Sequence, residues 1–223
     1  MRSAYLFLGF VICLMATVPT FSQVEKLGEA DYNTALAKAL DAASSRTRRV
    51  LTDEKFYNGT QVYGTRKIVS EFAGNDAKKI EISEEFNGKK SSSNSITLAG
   101  RYFCKEGEKA WKRADKECAK AGKAMAIPDG DYEYFVEPDP ANYGRKIYTR
   151  RAEYTDAGSP GRDAVRLKFI EIKFVTDETG AIIEYSETRR GGIEPNGWSS
   201  TQVTKYIYEP ADLNIIDPTR EFE

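Results

Sequence analysis

Residues 163–189 read DAVRLKFIEIKFVTDETGAIIEYSETR, and apolar side chains recur there at every second position, the period of a β-strand. Val165, Leu167 and Phe169 alternate with polar neighbours, then Ile170, Ile172 and Phe174 alternate in the opposite phase. A phase change inside one strand predicts either a β-bulge or burial on both faces. Asp177-Glu178-Thr179-Gly180 supplies hairpin-loop chemistry, and Ala181 to Arg189 is the returning strand.

The same period extends upstream to Leu51. Phe56, Val62, Ile68 and Phe72 share one parity; Ile80, Ile82 and Phe86 form a second run; Ile96, Leu98, Tyr102 and Cys104 form a third. Gly74-Asn75-Asp76, Asn87-Gly88 and Glu106-Gly107 separate them as turns. Such short connections select antiparallel hairpins over helical crossovers. Further strands are predicted over 132–136, 145–155, 199–208 and 213–216, and a short helix over part of 105–126. About ten strands result.

Before them, residues 29–50 carry a helical pattern. Tyr32, Leu36, Ala39, Leu40 and Ala43 fall on one face, Asp31 is the expected N-cap, and Arg46, Arg48 and Arg49 place cations at the C-terminal end, where the helix dipole favours them. The fold class is therefore mainly β (α+β): a curled antiparallel sheet or half-barrel of about ten strands, its concave face covered by an N-terminal amphipathic helix.

Composition narrows function by exclusion. Thirty-three basic residues against 34 acidic ones give no surface suited to nucleic acid. The absence of histidine removes Ser-His-Asp and Cys-His nucleophile systems, His-bearing zinc sites and a histidine pH switch. Arg2 followed by the apolar run Ala4 to Val18, with Thr20 and Ser22 at cleavage positions, reads as a signal peptide over 1–22. Residues 23–223 form the expected single domain, periplasmic or secreted, with no membrane span. Phe10-Val11-Ile12 before Cys13 disfavours a lipid anchor. In an exported chain the remaining cysteines, Cys104 and Cys118, are expected to form a disulfide, closing a loop of about 15 residues with a contribution on the order of 3 kcal/mol; two buried free thiols are the alternative.

Other constellations have bland explanations. Asp129, Asp131 and Glu133 alternate beside Gly130, yet no EF-hand loop surrounds them, so no metal is expected. Glu84, Glu85 and Glu171 suggest a glycosidase pair only if space brings them together. Arg190-Gly191-Gly192-Ile193 lacks the Lys and Ser/Thr of a phosphate loop. Twelve tyrosines follow the leader, and these apolar bodies with polar tips suit both cavity mouths and ordinary strands.

Three segments carry a resemblance: Phe103 through Trp111, Phe174-Val175-Thr176-Asp177-Glu178-Thr179-Gly180-Ala181-Ile182-Ile183, and Thr204-Lys205-Tyr206-Ile207-Tyr208 through Pro218. In this order behind a leader and one helix, the chain resembles LolA-like lipoprotein carriers, a family that includes the LppX-like lipid-binding lipoproteins. The resemblance implies a half-barrel that holds acyl chains, with no cofactor and no enzymatic activity, whose partner is a hydrophobic ligand or a lipidated protein. It assigns no lid arginine among Arg46, Arg48, Arg49 and Arg66. The expected lining is Leu36 and Leu40 from the helix with Phe72, Ile82, Leu98, Tyr102, Leu167, Phe169 and Tyr185 from strands. The competing expectation is an exported interaction or structural domain whose core is filled and binds no ligand. Oligomeric state is left open.

Overall fold

The computed structural model describes residues 23–74, 76–116, 118, 130–154, 167–192, 197–213 and 215–218. Chain order among them is β1 (Glu25–Leu27), α1 (Glu29–Ser44), β2 (Arg48–Asn58), β3 (Gln61–Ala73), β4 (Ala77–Phe86), β5 (Lys89–Leu98), β6 (Arg101–Glu106), β7 (Lys112–Ala114), β8 (Glu133–Pro138), β9 (Lys146–Glu153), β10 (Leu167–Thr176), β11 (Ile182–Gly191) and β12 (Trp198–Tyr208). All twelve strands join one curled, unclosed antiparallel sheet in the order β1-β8-β9-β10-β11-β12-β2-β3-β4-β5-β6-β7.

Two meanders make this order. β2 to β7 run outward to one edge, and β8 to β12 run inward from the other. They meet where β12 pairs with β2 from Trp198–Asn58 to Tyr208–Arg48. Because β1 lies at the far edge beside β8, the chain must cross six strand spacings, about 29 Å measured along the sheet, to reach β2. The 16 residues of α1 span about 24 Å. The helix is therefore a chord laid across the inner face of a bent sheet.

Short turns keep the β2–β7 meander in register. Phe86 pairs with Lys89 around Asn87-Gly88, and Leu98 with Arg101 around Ala99-Gly100. All four central residues have positive φ, as the two-residue turn that matches strand twist requires.

The core lies under α1. Tyr32, Ala39 and Ala43 are buried with Tyr134 of β8, Phe174 of β10 and Ile182 of β11. Ala39 and Ala43 bring the helix backbone close to the sheet. Tyr32 fills the remaining depth, its ring 5.3 Å from both Tyr134 and Phe174, and Phe174 stacks on Tyr148 at 4.6 Å. The β8–β11 half of the inner face is thus plugged with aromatic rings. Beyond it, Ile68, Ile80 and Ile82 form a second buried cluster on β3 and β4.

Several sequence-based expectations are corrected. The helix ends at Ser44, not Val50, because Arg48 and Arg49 already pair with Phe72 and Glu71 in the sheet. Its N-cap is Gly28, without a side-chain cap bond, and Asp31 sits in the first turn. Residues 105, 106 and 112–114 are in strands rather than a helix, whereas 213, 215 and 216 are not in a strand. The phase change in β10 is a bulge: register shifts between Leu167 and Phe169 against β11. Cys104 and Cys118 stand at disulfide distance, with Cα atoms 5.9 Å apart. The predicted leader, Cys13, Asn75, Asp129, Val165 and Ile193 lie outside the described residues.

Phe174→Ala is expected to cost about 3–5 kcal/mol of unfolding free energy, because its ring has no solvent exposure and contacts Tyr32 and Tyr148. Urea denaturation monitored by fluorescence measures this, and a loss below about 1 kcal/mol would contradict the packing described.

Candidate functional site

Next to the plugged half, the inner face stays open. Register places Arg48, Val50, Thr52, Glu54 and Phe56 of β2 on one face, opposite Tyr208, Tyr206, Thr204, Gln202 and Ser200 of β12. On the other side the same residues of β2 face Phe72, Ser70, Ile68, Arg66 and Gly64 of β3. Paired residues share a face, so three neighbouring strands offer one continuous floor. Leu36, Leu40 and Ala43 of α1 form one wall, and Tyr185 and Glu187 of β11 another. The cleft so enclosed has a volume of about 520 Å³, within the range of small-molecule sites.

Its floor changes character along β2. Near the helix it is apolar apart from Arg48: Val50, Ile68, Phe72 and Tyr206 line it together with Leu36 and Leu40, and Leu40 is 44% exposed. A hydroxyl band follows, where Thr52 and Thr204 hydrogen-bond at 3.0 Å and the Gln202 amide donates to Thr204 at 3.2 Å. Charge comes last. Arg66 donates to Glu84 at 2.5 Å and to Glu54 at 3.2 Å; Arg189 pairs with Glu187, which also accepts from the Tyr185 hydroxyl at 2.9 Å.

Burial sets the electrostatics of this floor. Desolvation raises the Glu54 pKa above its ordinary value, against the lowering effect of Arg66. The Tyr185 hydroxyl is pushed up by burial and by the adjacent Glu187 carboxylate. Burial also holds the Arg48 guanidinium below its usual range, and it pushes Tyr208 up to about 12.

Of the nine residues expected to line a cavity, Leu36, Leu40, Phe72 and Tyr185 line this cleft. Ile82 is on the inner face but buried with Ile68 and Ile80. Tyr102 faces inward opposite Thr97, close to the β7 edge. Leu167 packs on the cluster of Ala152, Ile170 and Ile172. Leu98 and Phe169 are on the outer face. Leu98 pairs with Arg101 across a two-residue turn, which puts even-numbered residues of β5 on the same side as odd-numbered residues of β6. The bulge after Leu167 turns Phe169 outward, beneath the Arg190 guanidinium at 5.1 Å.

Sequence reasoning assigned no site role to Arg48, Val50, Thr52 or Glu54: residues up to Val50 carry the helical pattern, and polar Thr52 and Glu54 show no apolar alternation. Glu84 and Glu171 occupy opposite faces and bind different cations, Arg66 and Lys173, so no acid pair forms between them. Glu133 pairs with Arg151 at 3.1 Å, and no metal-binding group of acidic or cysteine side chains is found among the described residues. Among those residues no helix is long and apolar enough to cross a membrane.

No protein-family model matches the chain, and no curated protein matches it. Among solved structures it is similar to the crystal structure of a DUF1329 family protein from Desulfovibrio piger ATCC 29098. That match has 12% sequence identity and a TM-score of 0.29, over 87% of this chain and 96% of the other. The likeness is too distant to bear on function.

Glu54→Gln is expected to raise the melting temperature at pH 7 and to leave it unchanged near pH 3. The sign follows from the raised pKa: ionising Glu54 costs more in the folded than in the unfolded protein. That penalty appears as pH rises above the unfolded value, and glutamine never bears it. Arg66 keeps Glu84 as its partner in the variant. A lower melting temperature at pH 7 would contradict this electrostatic assignment.

Proposed function

We propose that this protein is an exported, non-enzymatic carrier that holds an amphiphilic ligand in the cleft between α1 and strands β11, β12, β2 and β3. The observation that carries the proposal is the uneven filling of the inner face. Tyr32, Tyr134, Tyr148 and Phe174 occupy one half, while the adjoining half keeps about 520 Å³. Leucine, valine and isoleucine line one end of that space together with Arg48, and paired charges line the other. An amphiphile suits such a lining, since its chain removes apolar wall from water and its polar part meets a charged or hydrogen-bonding group.

Export is supported by the leader-like N-terminus and by two cysteines at disulfide distance. A carrier role fits the side chains better than catalysis does. The carboxylates of Glu54, Glu84 and Glu187 are engaged by Arg66 and Arg189, and a general acid or base would need its proton within reach of a substrate. The LolA-like resemblance of the sequence points the same way.

The test is displacement of a hydrophobic fluorescent dye by lauric acid, run beside native mass spectrometry of the freshly purified protein. The wild type is expected to bind the dye at one site and release it to the fatty acid. Thr52→Trp, which places a large ring on the cleft floor, is expected to reduce dye binding at least about tenfold with its circular dichroism unchanged. No dye binding and no co-purifying lipid in the wild type would overturn the proposal.

A further inference from the structure

Three arginines follow α1 closely, and their surroundings differ. Arg46 pairs with Asp177 at 3.9 Å and Glu209 at 4.0 Å. Arg49, on the outer face, pairs with Glu71 at 2.6 Å and Asp212 at 3.1 Å. Arg48, between them, lines the cleft. Among the described residues it has no carboxylate partner.

What holds Arg48 is neutral. Its Nη1 donates to the carbonyls of Ala43 and Ser44 at 3.0 Å each and of Arg46 at 3.1 Å, and its guanidinium lies 4.2 Å above the Phe72 ring. The three carbonyls belong to the end of α1 and the turn after it; that of Ala43 also accepts the Arg46 backbone N–H at 3.2 Å. They fix the group's position without neutralising its charge. All three bonds use Nη1, so the N–H groups of Nε and Nη2 have no protein acceptor among the described residues. A guanidinium with one edge anchored and another edge free is preorganised for a planar oxyanion.

Charges elsewhere in the cleft reinforce the polarity. Glu54 lies six residues further along β2, about 20 Å away at the rise of an extended strand, and Glu187 faces Gln202 at that same end. An anionic head there would meet carboxylates, whereas at Arg48 it meets a cation held by helix-end carbonyls, whose partial negative charge offsets it less than a carboxylate would. Val50, Ile68, Tyr206, Leu36 and Leu40 line the same cleft as Arg48, and a chain attached to that head would lie along them.

We infer that the cleft selects a single-chain amphiphile with a carboxylate head, the head bound by Arg48 and the chain laid along the apolar floor. This inference rests on the carrier reading above and adds the ligand's charge and its orientation. One chain is the occupant because about 520 Å³ corresponds to one drug-sized guest.

The experiment measures, by isothermal calorimetry at pH 8 with each amphiphile below its micellar concentration, the affinity of the full chain for laurate, dodecanol, dodecylammonium and acetate. Laurate is expected to bind about tenfold or more tighter than dodecanol, dodecylammonium more weakly than dodecanol, and acetate not measurably. In Arg48→Gln, laurate is expected to fall to the level of dodecanol, with dodecanol affinity preserved; that preserved affinity reports an intact fold and chain site. Arg48→Lys, which keeps the charge, covers the case in which the glutamine variant does not fold, and it is expected to retain a preference for laurate over dodecanol. Equal binding of laurate and dodecanol by the wild type, or a laurate preference that survives Arg48→Gln, would overturn the inference while leaving the carrier reading standing. Failure of both laurate and dodecanol to bind would overturn both.

Discussion

The structure depends on one connection: the helix that carries the chain from the edge strand β1 to the middle strand β2. Because β1 is paired with β8 while β2 is paired with β12, α1 has to lie across β8 to β12, and it can do so without unpaired polar backbone only as a helix. A straight rod over a bent sheet cannot touch every strand equally. Tyr32 reaches down near its start and alanines close the gap further along, so contact concentrates on β8 and β11. The cleft is what remains where the rod's C-terminal half passes the curving floor of β12, β2 and β3.

Filling and emptiness on the inner face thus have a common cause. Large aromatic residues stand where rod and sheet are joined, and their burial there is worth several kcal/mol. Smaller or polar residues, Val50, Thr52, Ser70 and Thr204, stand where they part. The buried and half-buried ion pairs across the far floor add little net stability, since each charge loses hydration to form them. Their role is to satisfy polar groups at the end of the cleft that the helix leaves uncovered.

Much of the architecture was legible because strand period and turn chemistry are local. The Asn87-Gly88 and Asp177-Glu178-Thr179-Gly180 hairpins, the phase change inside β10, and the helix face of Tyr32, Ala39 and Ala43 all follow from neighbours a few residues apart. Which face each strand turns inward was harder to read. The parity shared by Ile96, Leu98, Tyr102 and Cys104 breaks at a two-residue turn, and Leu98 ends on the outer face. Phe169 was displaced by a bulge whose exact position the alternation did not locate. The tyrosines, which suit cavity mouths and ordinary strands alike, divide between the cleft wall and the plug beside it. Arg48 was hidden for another reason: in the sequence it is one of three arginines near a helix end. Only pairing partners distinguish it, and Asp177, Glu209, Glu71 and Asp212 are all remote in sequence except Glu71, itself 22 residues away.

The central claim is that a guest occupies the inner face beside α1 rather than any other surface. Photo-crosslinking of a diazirine-bearing fatty acid, followed by peptide mapping, tests it most directly. Labels are expected on peptides from α1, β2 and β12, at or beside Leu36, Leu40, Val50 and Tyr206. Labels confined to outer-face residues such as Leu98 and Phe169, or scattered without preference, would contradict it.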